Sequence, residues 1–417
     1  MIFVVHHGEK SKAEERMDID MKNSPAWSTL TAVQNDQVHF LPENLFLSNS
    51  GLNYDESIQY LAKLVYPKAF NDVECETAVK KPVFKWENIR ERRTWRLFIL
   101  FIFFILACVS ILFSLSKGAV DVDISWSTIW TSLTSFDMES KQQILWNIRL
   151  PRVIIGALVG VNLALAGAIL QGIMRNPLAD PGIIGINSGA GLVGVVILLL
   201  FPHLEFIVPI GAFFGAMGAA VLIYVLAWKR GIQPVRIVLA GVAVSAFLGS
   251  WISILMIFYS DRVQGALMFM VGGLSARSWN HVEMIWIYSL LGLLFAIFGT
   301  RWMNILLLGD ETARGLGLSV ERTRIIMTAV ASLLAASAVS VVGLLGFVGL
   351  IVPHAARLLI GNDYRLLIPA SCFLGIAVVT FSDTVGRLIM APVEIPVGVI
   401  MGIFGAPFFL YLLRRET

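Results

Sequence analysis

Asp383 and Arg387 stand four residues apart in the otherwise apolar run Leu366–Met390. On a helix that spacing puts both side chains on one face, where they can pair. Charge within an apolar segment is costly in lipid and marks a position with a task. Arg149 and Arg152 flank Pro151 in "RLPR", which suits the first turn of a helix. Arginines at such a place either snorkel toward headgroups or offer directional pairing to carboxylates. A third set occupies "LGDETARGLGLSVERTR", Leu308–Arg324, which mixes acids, bases and glycines and is long for a turn. Gly315 and Gly317 there permit sharp turns between two short helices. Taken alone, this stretch reads as a solvated linker.

Covalent chemistry has no footing in the chain. There is no GxxxxGK[ST] loop, no nucleophile elbow and no HExxH. Cys75, Cys108 and Cys372 are scattered and read as small buried hydrophobes rather than a disulfide framework or metal site. His6 and His7 lack partners at metal spacing, and His354, after Pro353, reads as a helix-end contact. No metal and no catalytic residue is expected.

The elements that position these residues follow from composition. Of 417 residues, 57% are hydrophobic and 15% charged. A soluble domain carries about a quarter charged residues. The net charge of +3 is too small to imply nucleic acid. Crossing a bilayer as a helix takes about 20 apolar residues. Leu97–Leu115, Val153–Met174, Gly182–Leu204, Phe206–Trp228, Ile237–Ser260, Met284–Thr300 and Ile395–Leu413 qualify. Ile325–Ala356 is too long for one straight crossing, and its glycines predict a break near Gly343–Gly346 followed by a shorter helix. With Leu366–Met390 the total is about ten. The fold class is thus an all-α polytopic membrane protein with a small α/β-like soluble segment in front. The expected division is residues 1–90 soluble and 91–417 transmembrane. "MIFVVHHGEK" has too short an apolar stretch for a secretory signal.

Lys and Arg are retained on the cytoplasmic side. Alternating spans from a cytoplasmic Arg90–Arg96 cluster place sixteen of them inside and seven outside. Both termini are therefore predicted cytoplasmic, with Arg149, Arg152 and Arg387 on the outer side. Gly156, Gly160 and Gly167 allow close helix approach.

Three strings carry a resemblance. They are "RLPRVIIGALVGVNLALAGAILQGIMRNPLADPGIIGINSGAG", "GLLGFVGLIVPHAARLLIGNDYRLLIPAS" and "DTVGRLIMAPVEIPVGVIMGIFGAPFFLYLLRR". In order and in one register, they make residues 95–415 similar to the FecCD-type permeases, which import ferric siderophores, haem and cobalamin. The resemblance implies a multi-pass subunit of the bacterial cytoplasmic membrane with ten spans. It implies a second permease subunit, as homodimer or homologous heterodimer, two cytoplasmic ATPase subunits that hold ATP-Mg, and an extracytoplasmic binding protein. Residues 308–324 match the family's coupling loop, with Glu311, Ala313, Arg314, Gly315 and Gly317 as contacts to the ATPase. Arg149, Arg152 and Arg387 match arginines that dock the binding protein. Asn176 and Leu178 of "RNPLADP" match the cytoplasmic mouth, and Leu239 of "RIVLAG" a closure near the pore axis. Pro234 and Val235 depart from the small hydroxyl residues of some relatives. Asn162 and Gln171 either line the path or bond between helices. The rival class is an ion-coupled secondary transporter using Asp383 and Glu394, which leaves the long loop unexplained.

Ahead of the membrane part, "IFVV" reads as a strand, Val38–Leu41 as another, and Ile58, Leu61, Ala62 and Val65 as one face of a helix. This segment resembles the end of the carboxy-terminal lobe of a siderophore-binding protein. It is too short for a two-lobed cleft.

Overall fold

The computed structural model describes residues 2–5, 38–41, 61, 65, 86–118, 140–182, 185–228 and 234–416. The chain forms two compact units, Met1–Lys85 and Trp86–Thr417. The first helix of the second unit thus begins at Trp86, inside the segment assigned to the soluble part.

In the first unit, β1 (Ile2–Val5) pairs in parallel with β2 (Val38–Leu41), with Ile2 opposite Val38 and Val5 opposite Leu41. Both strands fall where the apolar runs put them. Leu61 and Val65 are helical, whereas Ile58 and Ala62 lie outside the described residues.

The second unit is helical. Its elements are α1 (Trp86–Ser116), α2 (Leu150–Met174), α3 (Ile186–Leu200), α4 (Val208–Ala227), α5 (Pro234–Phe258) and α6 (Val263–Val271). They continue with α7 (Trp279–Leu306), α8 (Asp310–Gly315), α9 (Val320–Val342), α10 (Val348–Ile360), α11 (Tyr364–Leu388) and α12 (Val397–Glu416). Among the described residues, seven helical segments are long and apolar enough to cross a membrane, and Ile186–Leu200, Val348–Ile360 and Val397–Leu410 are shorter apolar helices.

Burial sorts the helices into layers. α2 and α9 are buried on nearly every face, whereas α1, α4, α5 and α7 present leucine, phenylalanine and tryptophan outward. Apolar solvent gives no hydrophobic drive between helices, so close backbone approach must supply the packing. Gly160 of α2 lies against the Gly375 carbonyl of α11, and Gly167 against the Gly349 carbonyl of α10, with no room for a Cβ at either contact. Asn162 donates to Ser289 Oγ at 2.9 Å and Ser337 Oγ at 3.0 Å. Gln171 donates to the carbonyls of Gly349 and Leu350. Both amides therefore bond between helices.

Some boundaries differ from the sequence expectation. The span expected at Gly182–Leu204 is the 15-residue α3, because Gly185 is left-handed at its start and Pro202 opens a separate 3-10 turn at its end. α7 is longer than Met284–Thr300, because Ser278 and His281 cap it reciprocally at Trp279. The short α6 lies beyond the span expected at Ile237–Ser260, past the Ser260–Arg262 turn, and was not expected from the sequence. The expected break between α9 and α10 is present. Gly343 (φ 81°) and Phe347 (φ 67°) are both left-handed there. Irregular backbone at this depth needs internal partners. Leu344 N–H donates to the Phe269 carbonyl at 3.0 Å, Gly273 N–H to Val342 at 2.8 Å, and Gly398 N–H to Gly272 at 3.1 Å.

Candidate functional site

The loop after α7 carries the first group of residues. Gly309 (φ 107°) turns the chain into α8, and Gly317 (φ 83°) turns it into α9. Gly315 ends α8 without a positive φ, so the sharp turns fall at Gly309 and Gly317 rather than at Gly315 and Gly317. A single short helix leads directly into α9, in place of two short ones. Glu311, Arg314, Gly315 and Gly317 are exposed, and Ala313 is fully buried. Leu308 and Leu316 add exposed apolar surface on either side. The helix thus offers acid, base and leucine outward while Ala313 seats it on the bundle.

Its seat is fixed by a residue that motif reasoning passed over. Asp310 Oδ1 takes Arg324 Nη2 of α9 at 3.0 Å and also pairs with Arg175. Arg175 caps the end of α2 in a left-handed conformation (φ 48°, ψ 38°) and donates to the Leu306 carbonyl. One carboxylate therefore joins α8 to α9, to the end of α2 and, through the next residues, to the "RNPLADP" loop. The aspartate one residue before Glu311 was visible in the sequence, but its partners lie 14 and 135 positions away.

In that loop Asn176 Oδ1 accepts from Leu178 N–H at 2.9 Å, a local side-chain turn that shapes the segment. Asn176 is exposed and Leu178 half-buried. Asp180 is half-buried, accepts from Gly182 N–H at 2.9 Å and lies beside Gly349 at the start of α10. Loss of hydration pushes its carboxyl up to about 6. Leu239 is 64% exposed on α5, on one outward face with Val235 and Val242.

At the opposite end of the bundle lies a buried charge cluster. Arg152 is 8% exposed. It grips Asp383 at two points, Nε to Oδ2 at 3.0 Å and Nη2 to Oδ1 at 2.8 Å. Its Nη1 reaches both Glu394 oxygens at 3.0 Å. Ser275 donates to Glu394 Oε2 at 2.7 Å. Burial works to raise the Glu394 carboxyl, but the Ser275 hydroxyl and the Arg152 guanidinium outweigh it and hold the group below its usual value. Arg387 pairs with Asp383 at 3.1 Å, as their spacing predicts, and donates to Ser114 Oγ and the Lys117 carbonyl. Arg149 donates to the carbonyls of Leu115 and Ser116. All three arginines are buried and bind this chain itself, joining the ends of α1, α2 and α11. His354 is buried in α10, at the far end from this cluster. Among the described residues no group of His, Cys, Asp and Glu could hold a metal ion.

Residues 100–415 match the FecCD transport family. The chain belongs to that family. An Fe(3+)-citrate import system permease protein of Bacillus subtilis is 40% identical over 75% of this chain and 94% of its own length. A cobalamin import system permease protein of Halobacterium salinarum is 45% identical over 67% of this chain and 76% of its own. An iron(3+)-hydroxamate import system permease protein of Bacillus subtilis is 37% identical over 77% of this chain and 98% of its own. Among solved structures, an inward-facing metal-chelate type ABC transporter chain aligns with a TM-score of 0.68 at 26% identity, covering 76% of this chain and 99% of that one. This FecCD family member is a multi-pass membrane permease, and the matched region begins within α1 and ends within α12. In the family's frame, α8 and the "RNPLADP" loop share one end of the bundle, and the buried arginines the other.

Proposed function

We propose that this chain is the membrane-spanning subunit of an ATP-driven importer for ferric siderophores. The observation that carries the reading is the projecting helix Asp310–Gly315, which Asp310 ties at once to α9 and to the end of α2. A force applied at Glu311 and Arg314 reaches α2 through a charge-assisted contact rather than a flexible linker. In the proposed assembly two ATPase subunits, which hold ATP-Mg, dock on Glu311, Arg314, Gly315 and Gly317, whereas Ala313 is buried against the bundle and is not a contact. Their closure switches a pore formed with a second permease subunit, on whose axis Leu239 of each copy stands. Asn176 and Leu178 form the cytoplasmic mouth. Ten spans, counting the three shorter helices, put both termini in the cytoplasm.

An extracytoplasmic binding protein would dock on the end of the bundle that carries Arg149, Arg152 and Arg387. Docking through Arg152 or Arg387 requires a partner carboxylate to compete with Asp383 and Glu394, and docking through Arg149 requires it to compete with the Leu115 and Ser116 carbonyls. Their internal pairing favours a holding role, with the docking face built above them. Residues 1–85, in this reading, are a remnant of a binding-protein sequence without a part in transport.

The substrate class rests on relatives named for Fe(3+)-citrate and iron(3+)-hydroxamate import. A cobalamin chelate is the second reading, favoured by the 45% identical relative. Whole-cell uptake decides between them, in a deletion strain carrying this chain and its partners. Labelled iron given with a panel of siderophores should accumulate, and labelled cobalamin should not. Cobalamin uptake without iron uptake would replace the first reading with the second.

A further inference from the structure

The ends of α2, α7 and α10 that face the 308–324 loop enclose a cleft of about 550 Å³. Arg175, Asn176, Arg357 and Asn362 supply polar lining, and Leu307 and Leu358 supply apolar lining. No carboxylate lines it. Arg357 makes no ion pair among the described residues. Its partners are neutral, Gln171 Oε1 at 3.0 Å and the Tyr364 phenol. A guanidinium carries five N–H donors, so these contacts leave part of the fork unspent. Arg175 shares its one carboxylate, Asp310, with Arg324. Arg175 and Arg357 thus bring two positive charges to the cleft lining, and the one carboxylate paired with them, Asp310, stands outside the lining and is shared with Arg324. Arg175 is also held left-handed, a strained state for a residue with a Cβ and one that concentrates at ligand-binding positions. Leu358 is 53% exposed and Leu307 39%, so the lip of the cleft is apolar.

A net positive cleft of this size, with leucines at its lip, is chemically matched to a phosphate carried on an apolar chain. Basic pockets between helices on the cytoplasmic side are suited to anionic headgroups. We propose that this cleft binds the phosphate headgroup of an anionic lipid of the cytoplasmic leaflet. The proposal rests on the orientation adopted above. The phosphate would lie between Arg357 and Arg175, with Asn176 and Asn362 as further donors and the acyl chains leaving past Leu358. Because Arg175 is also held by Asp310, the lipid would sit behind the joint between α8 and α2.

The test uses the purified full-length chain in detergent, titrated with phosphatidylglycerol or phosphatidylcholine and read by native mass spectrometry. Arg357→Gln removes one cation. Asn362→Asp places a carboxylate in the cleft at an exposed position and leaves every helix end intact. Phosphatidylglycerol should half-saturate the unaltered chain at about tenfold lower concentration than either variant, the size of one lost charge-assisted contact. Phosphatidylcholine should bind all three weakly. Equal phosphatidylglycerol binding by the unaltered chain and a folded Asn362→Asp chain overturns the site. Displacement of the lipid by inorganic phosphate at matched concentration overturns the lipid as its source, and displacement by the ATPase partner makes the cleft part of that interface instead. Separately, Asn362→Cys should react with an impermeant thiol reagent only in opened cells. Reaction in intact cells overturns the orientation while leaving the detergent result to judge the cleft.

Discussion

Arg152 and Asp383, 231 positions apart in sequence, meet in a two-point ion pair with N–O distances of 3.0 and 2.8 Å. Neither side chain exposes more than 9% of its surface. Removing one partner of a buried pair leaves an uncompensated charge, which costs about 3–5 kcal/mol, whereas replacing both with apolar groups of similar volume is often near neutral. Asp383 also faces Arg387, so an isolated Asp383→Asn leaves two guanidinium groups near each other. Arg152→Met and Asp383→Asn should each lower the thermal midpoint and the amount of folded membrane protein. Arg152→Met with Glu394→Gln, which leaves Asp383 paired to Arg387, should recover part of the loss relative to the sum of its single changes. Thermal unfolding in detergent across this set measures the coupling.

The clamp at Asp310 makes a different prediction. Asp310→Asn removes the charge shared by Arg175 and Arg324 but leaves α8 its exposed residues. ATP hydrolysis by the assembled complex should persist within about twofold, while substrate uptake falls about tenfold, the size of one charge-assisted contact. Glu311→Ala with Arg314→Ala should lower hydrolysis and uptake together, because those side chains face outward. Parallel assays in proteoliposomes separate the two patterns.

Small residues between helices predict a position-dependent cost. Gly160→Val drives a side chain into the Gly375 carbonyl, and Gly167→Val into that of Gly349. Both contacts are to backbone, so the helices must move apart. Each change should cost about 1–3 kcal/mol or more as overpacking. Gly218→Ala has open space around its new methyl and should stay within about 0.5 kcal/mol of the parent. Size-exclusion profiles and melting curves of the three variants check this.

Asp180 supplies a pH dependence. Its carboxyl lies near 6 in the folded chain, above the 3.8 of an exposed aspartate. A raised folded value means that the folded state binds the proton more tightly. The contribution to stability is therefore full below 3.8 and is lost as pH rises through 6. Asp180→Asn keeps a neutral side chain throughout. The melting difference between Asp180→Asn and the parent should thus widen between pH 4 and 7 in favour of the variant, approaching at most about 3 kcal/mol. A difference constant across that range would show that Asp180 stays ionised.

Much of the architecture was legible in the residue order because lipid imposes length and polarity on every crossing segment. The runs around α1, α4, α5, α11 and α12, the break at Gly343 and the two strands of the first unit follow from local composition. The 383/387 pair follows from helical periodicity alone. The family strings likewise mark residues 95–415 without reference to shape. Tertiary structure decided what periodicity cannot carry. α3 is short because Gly185 adopts a left-handed turn that its sequence permits but does not demand. Asp310 joins α2 to α9, and Arg152 turns inward to Asp383 and Glu394, because the bundle brings together segments whose order along the chain contains no distance. Buried charge must find its counterpart across such gaps, so the partner of each arginine was settled by packing, while its presence was written in the sequence.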